Sequence, residues 1–155
     1  VSSAAPYKHF SDRGEIVRAV ALAGIDRMRD QMDDAAQSAR GDPLAPIMAL
    51  GLCYAQFARS EPGVFRLMFG LTTDHDEDPE LKAHGDACFD VVKREVRTIL
   101  GLDAREDEVE RRSYMLHMFV HGHAFLEIDG KHDMDLTSGQ EAFLMADIAR
   151  RIMQD

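Results

Sequence analysis

The sequence has no tryptophan, only two cysteines in 155 residues, and no apolar run near the ~18 residues that cross a bilayer. A secretory signal pattern is also lacking at its start. Two cysteines are too few for a disulfide framework, and Cys53 and Cys88 each lie in an apolar-periodic stretch. We therefore expect a cytoplasmic protein, with no membrane partner, whose cysteines are small buried side chains.

Basic residues are scarce relative to acidic ones. The chain has 18 lysines and arginines against 28 aspartates and glutamates, which gives a net charge of -10. A segment of that charge does not grip nucleic acid by itself, although a basic portion elsewhere in a protein can do so. Apolar residues make up 45% of the chain, an ordinary share for a folded globular domain.

The spacing of apolar residues predicts helices and no convincing strand. Asp12 and Glu15 have the spacing of a helix capping box. The apolar residues that follow repeat with a period of 3.6, as on one face of a helix. They are Ile16, Val20, Ile25, Met28 and Met32.

Further capping signals predict that helices continue along the chain. A short apolar segment follows Pro62-Gly63, and Gly101 ends one of the later helices. The fold class is therefore all-α. The predicted starts are Asp42-Pro43, Asp78-Pro79, Asp103 with Glu106, and Thr137 with Gln140.

Sequence patterns of helical enzymes are missing. The chain has no paired Glu-x-x-His spacing, no His-Glu-x-x-His pattern and no glycine-rich phosphate loop. We therefore expect neither an enzyme nor a cofactor.

A metal site is an alternative interpretation of the histidines. His117 and His121 are four residues apart, so they share a helix face, and His123 is close by. Residues 74–77 form a second cluster, Asp-His-Asp-Glu, in a predicted loop. No third ligand is placed beside His117 and His121 by spacing, so no metal site is assigned.

The N-terminal residues carry a family resemblance. The stretch Ser-Ser-Ala-Ala-Pro-Tyr-Lys-His-Phe at 2–10, followed by an acidic helix start, resembles the end of the helix-turn-helix in TetR-family transcriptional regulators. In that family the recognition helix enters the major groove of DNA. The resemblance implies DNA contacts by Ser2, Ser3, Ala4, Ala5, Tyr7, Lys8 and His9.

The resemblance continues through the rest of the chain. One branch of the family has a Tyr-Ala-x-Phe-Ala stretch, a proline and an Arg-Leu-Met-Phe sequence, which match residues 54–58, Pro62 and residues 66–69. Its Trp-x-x-x-His-Gly signature is present here as His121-Gly122, with His117 about where the tryptophan stands.

The resemblance implies two parts. Residues 1–10 would be the remnant of a DNA-binding domain, and residues 11–155 a ligand-binding and dimerisation domain whose linking helix covers 11–38. Residues 105–128 and 138–153 would pair with their copies in a twofold four-helix bundle. The last helix supports this independently, because three apolar residues on one face predict a dimer interface. They are Leu144, Ile148 and Ile152.

Methionines and aromatic residues from several helices predict an apolar pocket, because methionine is flexible and polarisable enough to line adaptable cavities. Tyr114, His117 and His121 are its predicted polar groups. The other predicted lining residues are Met28, Met32, Met48, Leu52, Phe65, Met68, Phe89, Val92 and Met118.

These features together predict a ligand-responsive transcriptional repressor. In its full-length form it would bind operator DNA as a homodimer, and a small apolar or amphipathic effector would release it. Two alternatives stay open at this point: a metal-responsive regulator that uses His117 and His121, and a ligand-free α-helical dimerisation module.

Overall fold

The computed structural model of the chain describes residues 12–70, 78–131 and 136–154, and these residues form six helices and no strand. This confirms the all-α prediction. The helices are α1 (Arg13–Ser38), α2 (Ala45–Ser60), α3 (Pro62–Gly70), α4 (Pro79–Leu100), α5 (Glu106–Ile128) and α6 (Ser138–Gln154).

Three of the predicted helix starts are confirmed by their hydrogen bonds. The Glu15 amide donates to the Asp12 carboxylate at 2.9 Å at the start of α1. The Asp78 carboxylate accepts from the Leu81 amide at the start of α4. Thr137 and Gln140 form a reciprocal capping box before α6.

Two predicted starts are wrong. The Asp42 carboxylate accepts from the Leu44 amide at 2.7 Å and closes a turn, so α2 begins only at Ala45. Asp103 lies in the turn after Gly101, and α5 begins at Glu106 without a side-chain cap. In both places a local turn takes up the residues that the cap-like spacing assigned to a helix.

Helix α2 occupies the centre, because it packs against each of the other five helices. Its residues Ala55 and Ala58 are fully buried, and Tyr54 and Phe57 are nearly so. Each large apolar side chain buried in this core contributes roughly 1.5–3 kcal/mol. The helices around α2 are thereby fixed relative to one another.

Helix α1 is held by close packing on one side and by ion pairs on another. A Cβ placed on Gly24 would lie 2.6 Å from Cγ1 of Val64 and 2.9 Å from the Met68 sulfur, so α1 and α3 meet where no larger residue fits. Towards α4, Arg18 pairs with Asp78 at 2.5 Å. Movement of α1 must therefore disturb both α3 and α4.

None of the helices in the described part of the chain is long and apolar enough to cross a membrane.

Candidate ligand-binding site

Two adjoining cavities lie between the helices and share a wall. Met32 from α1, Tyr54 from α2, Val92 from α4 and His117 from α5 line both of them. The α6-side cavity, which Met145 and Ile148 also line, has a volume of about 40 Å³. The α3-side cavity, which Met28, Met68 and Phe89 also line, has about 110 Å³. Apolar spaces of this kind between helices are where small molecules commonly bind.

A hydrogen bond joins the two sequence motifs that flank this wall. The Tyr54 hydroxyl lies 2.8 Å from Nδ1 of His121. Burial raises the pKa of Tyr54, so its hydroxyl keeps its proton, and the His121 tautomer sets which of the two groups donates. Tyr54 is 3% exposed, so its hydroxyl needs this partner.

Aromatic rings surround His121. Its ring centroid lies 4.6 Å from that of Phe69 and 4.8 Å from that of Phe125, both edge to face. His117 stacks on His121 with the ring centroids 5.3 Å apart, and it also contacts the Phe89 ring. These geometries are the favourable ones for aromatic contacts.

Both histidines of this group are neutral near pH 7. Burial, with a smaller effect from His121, lowers the pKa of His117 to about 4. Burial also lowers the pKa of His121. The site therefore presents hydrogen-bonding nitrogens without a positive charge.

The structure brings about half of the predicted pocket residues to the cavities. Phe65 and His121 lie directly behind the wall, in contact with Tyr54. Met48 and Leu52 pack against the core and line neither cavity. The predicted residues that do line a cavity are Met28, Met32, Met68, Phe89, Val92 and His117.

Tyr114 and Met118 do not belong to the site. They are 58% and 50% exposed, and neither lines a cavity. The inward face of α5 carries Val109, Val120 and Ala124 instead, and Tyr114 and Met118 project from another side of the helix. Their proposed role as pocket residues is corrected accordingly.

The inward face of α6 also differs from the predicted ridge. Its buried residues include Met145, Ala149 and Met153. Ile148, predicted at a dimer interface, lines the α6-side cavity, while Leu144 and Ile152 are half-buried. The predicted ridge therefore lies at the edge of the hydrophobic core of the chain.

Sequence reasoning missed Tyr54 as a wall residue. From the sequence it is placed only in the family-like stretch at residues 54–58. A signal was present, because an isolated tyrosine on a buried helix face needs a polar partner, and His121 was a candidate at a matching family motif.

A second, polar cluster lies where α2, α5 and α6 meet. The described residues contain one group of three side chains that could together bind a metal ion. It consists of His123, Glu127 and Glu141, whose potential ligand atoms lie within 4.8 Å of one another. Arg59 is inserted between the two carboxylates, at 2.7 Å from Glu127 and 2.6 Å from Glu141. The guanidinium of Arg59 thus already supplies a positive charge between the two carboxylates. No comparable third ligand accompanies His117 and His121 in the described residues.

The residues with predicted DNA contacts, which are Ser2, Ser3, Ala4, Ala5, Tyr7, Lys8 and His9, lie outside the described residues. The predicted loop cluster at 74–77 does so too.

Comparisons with known proteins agree with this architecture. A search of curated proteins found no match to the chain. A solved structure from Rhodococcus sp. RHA1, described as a protein with unknown function, has the same fold with a TM-score of 0.81. It is 24% identical to this chain, and the match covers 99% of this chain and 78% of that one.

The family model described as "Tetracyclin repressor-like, C-terminal domain" matches residues 47–149. This stretch contains α3, α4 and α5 with most of α2 and α6, and so the greater part of both cavity linings. The chain belongs to the tetracycline repressor-like family.

Proposed function

We propose that this chain is the ligand-binding and dimerisation part of a ligand-responsive transcriptional repressor. The observation that carries the proposal is that α1 itself lines the cavities, through Ile25, Met28 and Met32. In the proposed domain division, α1 connects the cavities to the N-terminal residues 1–10. An effector that enlarges the cavity must press on the helix that leads to the DNA-binding part.

The contacts of α1 with α3 can transmit a change in the cavity to α1. Met68 lines the α3-side cavity, and its sulfur approaches Gly24 closely enough to exclude a Cβ there. A ligand that displaces Met68 therefore changes the contact between α3 and α1, which is tight at Gly24. Ligand and operator DNA then oppose each other reciprocally, each favouring a different position of α1.

An outward apolar face on α5 supports a homodimer. Tyr114, Met118, Gly122 and Leu126 are spaced four residues apart and are all exposed, and we call them the outer α5 face. Phe143 on α6 is 71% exposed as well. A second copy would cover this surface in a twofold bundle of α5 and α6, the arrangement that the family implies.

The DNA-binding role rests on the family and on residues 1–10. In the full-length protein, Ser2, Ser3, Ala4 and Ala5 would face bases, and Tyr7, Lys8 and His9 would contact phosphates. Two such segments in a dimer would read two half-sites, so their separation would control affinity.

The distance between spin labels at Arg13→Cys, near the exposed start of α1, tests the proposal. We expect one defined intermolecular distance in the free protein and a different one when benzyl alcohol occupies the cavity. A label at Arg150→Cys on α6 is the control, and its distance should not change. Absence of any intermolecular distance would remove the dimer and the proposal with it. An unchanged α1 distance with the ligand bound would favour a ligand-free dimerisation module.

The mass in solution tests the surface that forms the dimer. Met118→Glu places a charge on the outer α5 face and should convert a dimer to a monomer in light scattering. Leu102→Glu is the matched control, because Leu102 is 96% exposed but lies in the turn before α5. A dimer that survives Met118→Glu would place the interface elsewhere.

A further inference from the structure

The two cavities are free of charged lining. Within the described residues, every side chain that lines either cavity is apolar except Tyr54 and His117. A buried carboxylate or ammonium group without a partner is strongly destabilised, because a low-dielectric site cannot replace its hydration. The lining thus selects against permanently charged ligands.

Among the polar wall residues, His117 is the one whose side chain makes no hydrogen bond within the described part of the chain. Tyr54, the other polar wall residue, already pairs with His121 at 2.8 Å. The His117 ring contacts the rings of Tyr54, Phe89 and His121, and no hydrogen bond to its nitrogens is present among the described residues. A neutral imidazole offers one donor and one acceptor, so a ligand can use either.

His117 also faces both cavities, together with Met32, so the wall between them is adaptable. Methionine has three rotatable bonds and changes conformation at little cost. The larger cavity alone, at about 110 Å³, is smaller than the roughly 150 Å³ cavity that accepts benzene. Rotation of Met32 would join the two spaces beside the His117 ring.

We propose that the two cavities form one site for an uncharged, mainly apolar molecule whose single polar group hydrogen-bonds to His117. This ligand class rests on the proposed effector-binding function and makes it specific. The apolar part of the ligand fills the empty space along Met32 and Val92, and its polar group forms a hydrogen bond with the His117 imidazole. Carboxylates and amines of the same shape are rejected because no counter-charge awaits them.

Four probes of one shape test this inference at pH 7: benzyl alcohol, toluene, benzoate and benzylammonium. Affinities are measured by isothermal titration calorimetry, and imidazole NMR of His117 in the wild-type protein reports contact at the ring. We expect benzyl alcohol to bind at least tenfold more tightly than benzoate or benzylammonium and to shift the His117 signals. Equal binding of a charged probe, or no binding by any probe, would overturn the inference.

Two variants separate the hydrogen bond from the shape of the site. His117→Phe should weaken benzyl alcohol at least tenfold, and toluene should change less than threefold, which also shows that the site remains folded. His84→Gln, on the α1–α4 surface, is the control and should leave both affinities unchanged. If His117→Phe leaves benzyl alcohol binding intact, His117 is not the polar contact. The spin-label distances of the unliganded dimer do not depend on either result, so this inference can fail while the dimeric architecture stands.

Discussion

Two histidines on α5, only two residues apart, occupy opposite environments. His121 lies among aromatic rings and shares a hydrogen bond with Tyr54. His123 lies on the other side of the helix, 3.1 Å from the Glu141 carboxylate. The same residue type therefore lies in an aromatic group behind the cavity wall in one region and beside an ion-pair cluster that joins helices in the other. The two environments differ because positions two residues apart on a helix point in different directions and meet different neighbouring helices.

The polar region stabilises the fold and has no empty position for a cation. Glu141 is 6% exposed, and Arg59 bridges it to Glu127. Burial raises the pKa of Glu141, but hydrogen bonds from Arg59 and His123 outweigh it and hold the pKa below its usual value. The carboxylate is therefore ionised and depends on its partners.

Arg59→Met is expected to have the largest effect on stability, because it disrupts the polar region and leaves the aromatic region intact. It leaves two carboxylates without their cation while preserving much of the side-chain volume, and removal of one member of a buried pair costs about 3 kcal/mol. We expect a loss of that size in the free energy of unfolding, measured in urea. Arg66→Met is the matched control: Arg66 also makes a 2.6 Å ion pair, with Asp129, but both groups are more exposed, so about 0.5 kcal/mol is expected. Equal losses in the two variants would show that burial does not distinguish the pairs.

Acid should weaken the aromatic region first. The pKa of His117 is about 4 in the folded protein and near 6.5 in the unfolded chain, so the unfolded chain takes up the proton at higher pH. The stability contributed by neutral His117 is thus complete above about pH 6.5 and is lost as the pH falls towards 4. The loss amounts to about 2–3 kcal/mol in urea unfolding across this range.

His117→Phe isolates that effect, because it replaces the titratable imidazole by an aromatic ring that takes up no proton. Its stability should fall less than that of the wild type between pH 6.5 and 4.5. Below the usual pKa of a glutamate both proteins should lose further stability, because the unfolded chain protonates Glu141 while its partners keep the folded carboxylate ionised until the pH falls through its lowered pKa. Parallel curves above pH 5 would contradict the neutral state of His117.

The helices were predictable because each of them has a local signal. Asp12, Asp78 and the Thr137–Gln140 pair cap α1, α4 and α6 as their spacing predicts. The start of α2 was not predictable from Asp42, because an aspartate carboxylate accepts a hydrogen bond in a turn as readily as at the start of a helix. The same ambiguity applies to Asp103 before α5.

The site was predictable only where one face of a helix is apolar. Helix α1 has such a face, and Met28 and Met32, predicted from it, line the α3-side cavity. Helix α5 carries apolar residues on its inner and outer sides, so periodicity could not show that Tyr114 and Met118 face outwards and His117 inwards. The cross-helix pairs, Tyr54 with His121 and Arg59 with Glu141, depend on tertiary packing that spacing does not encode.

The smallest expected effect concerns the Tyr54–His121 hydrogen bond, which links the wall of the cavities to the aromatic group. Tyr54→Phe should cost about 1 kcal/mol, and His121→Leu somewhat more, because the leucine leaves the Tyr54 hydroxyl buried without its hydrogen-bond partner. The double variant should be more stable than the sum of the single losses predicts, by a coupling of about 1 kcal/mol in a double-mutant cycle of urea unfolding. Tyr54→Phe combined with His123→Gln is the control pair and should be additive, because His123 faces Glu141 on the other side of α5. Coupling to His123 as strong as to His121 would mean that the two regions of α5 act as one network, and the distinction between them would fail.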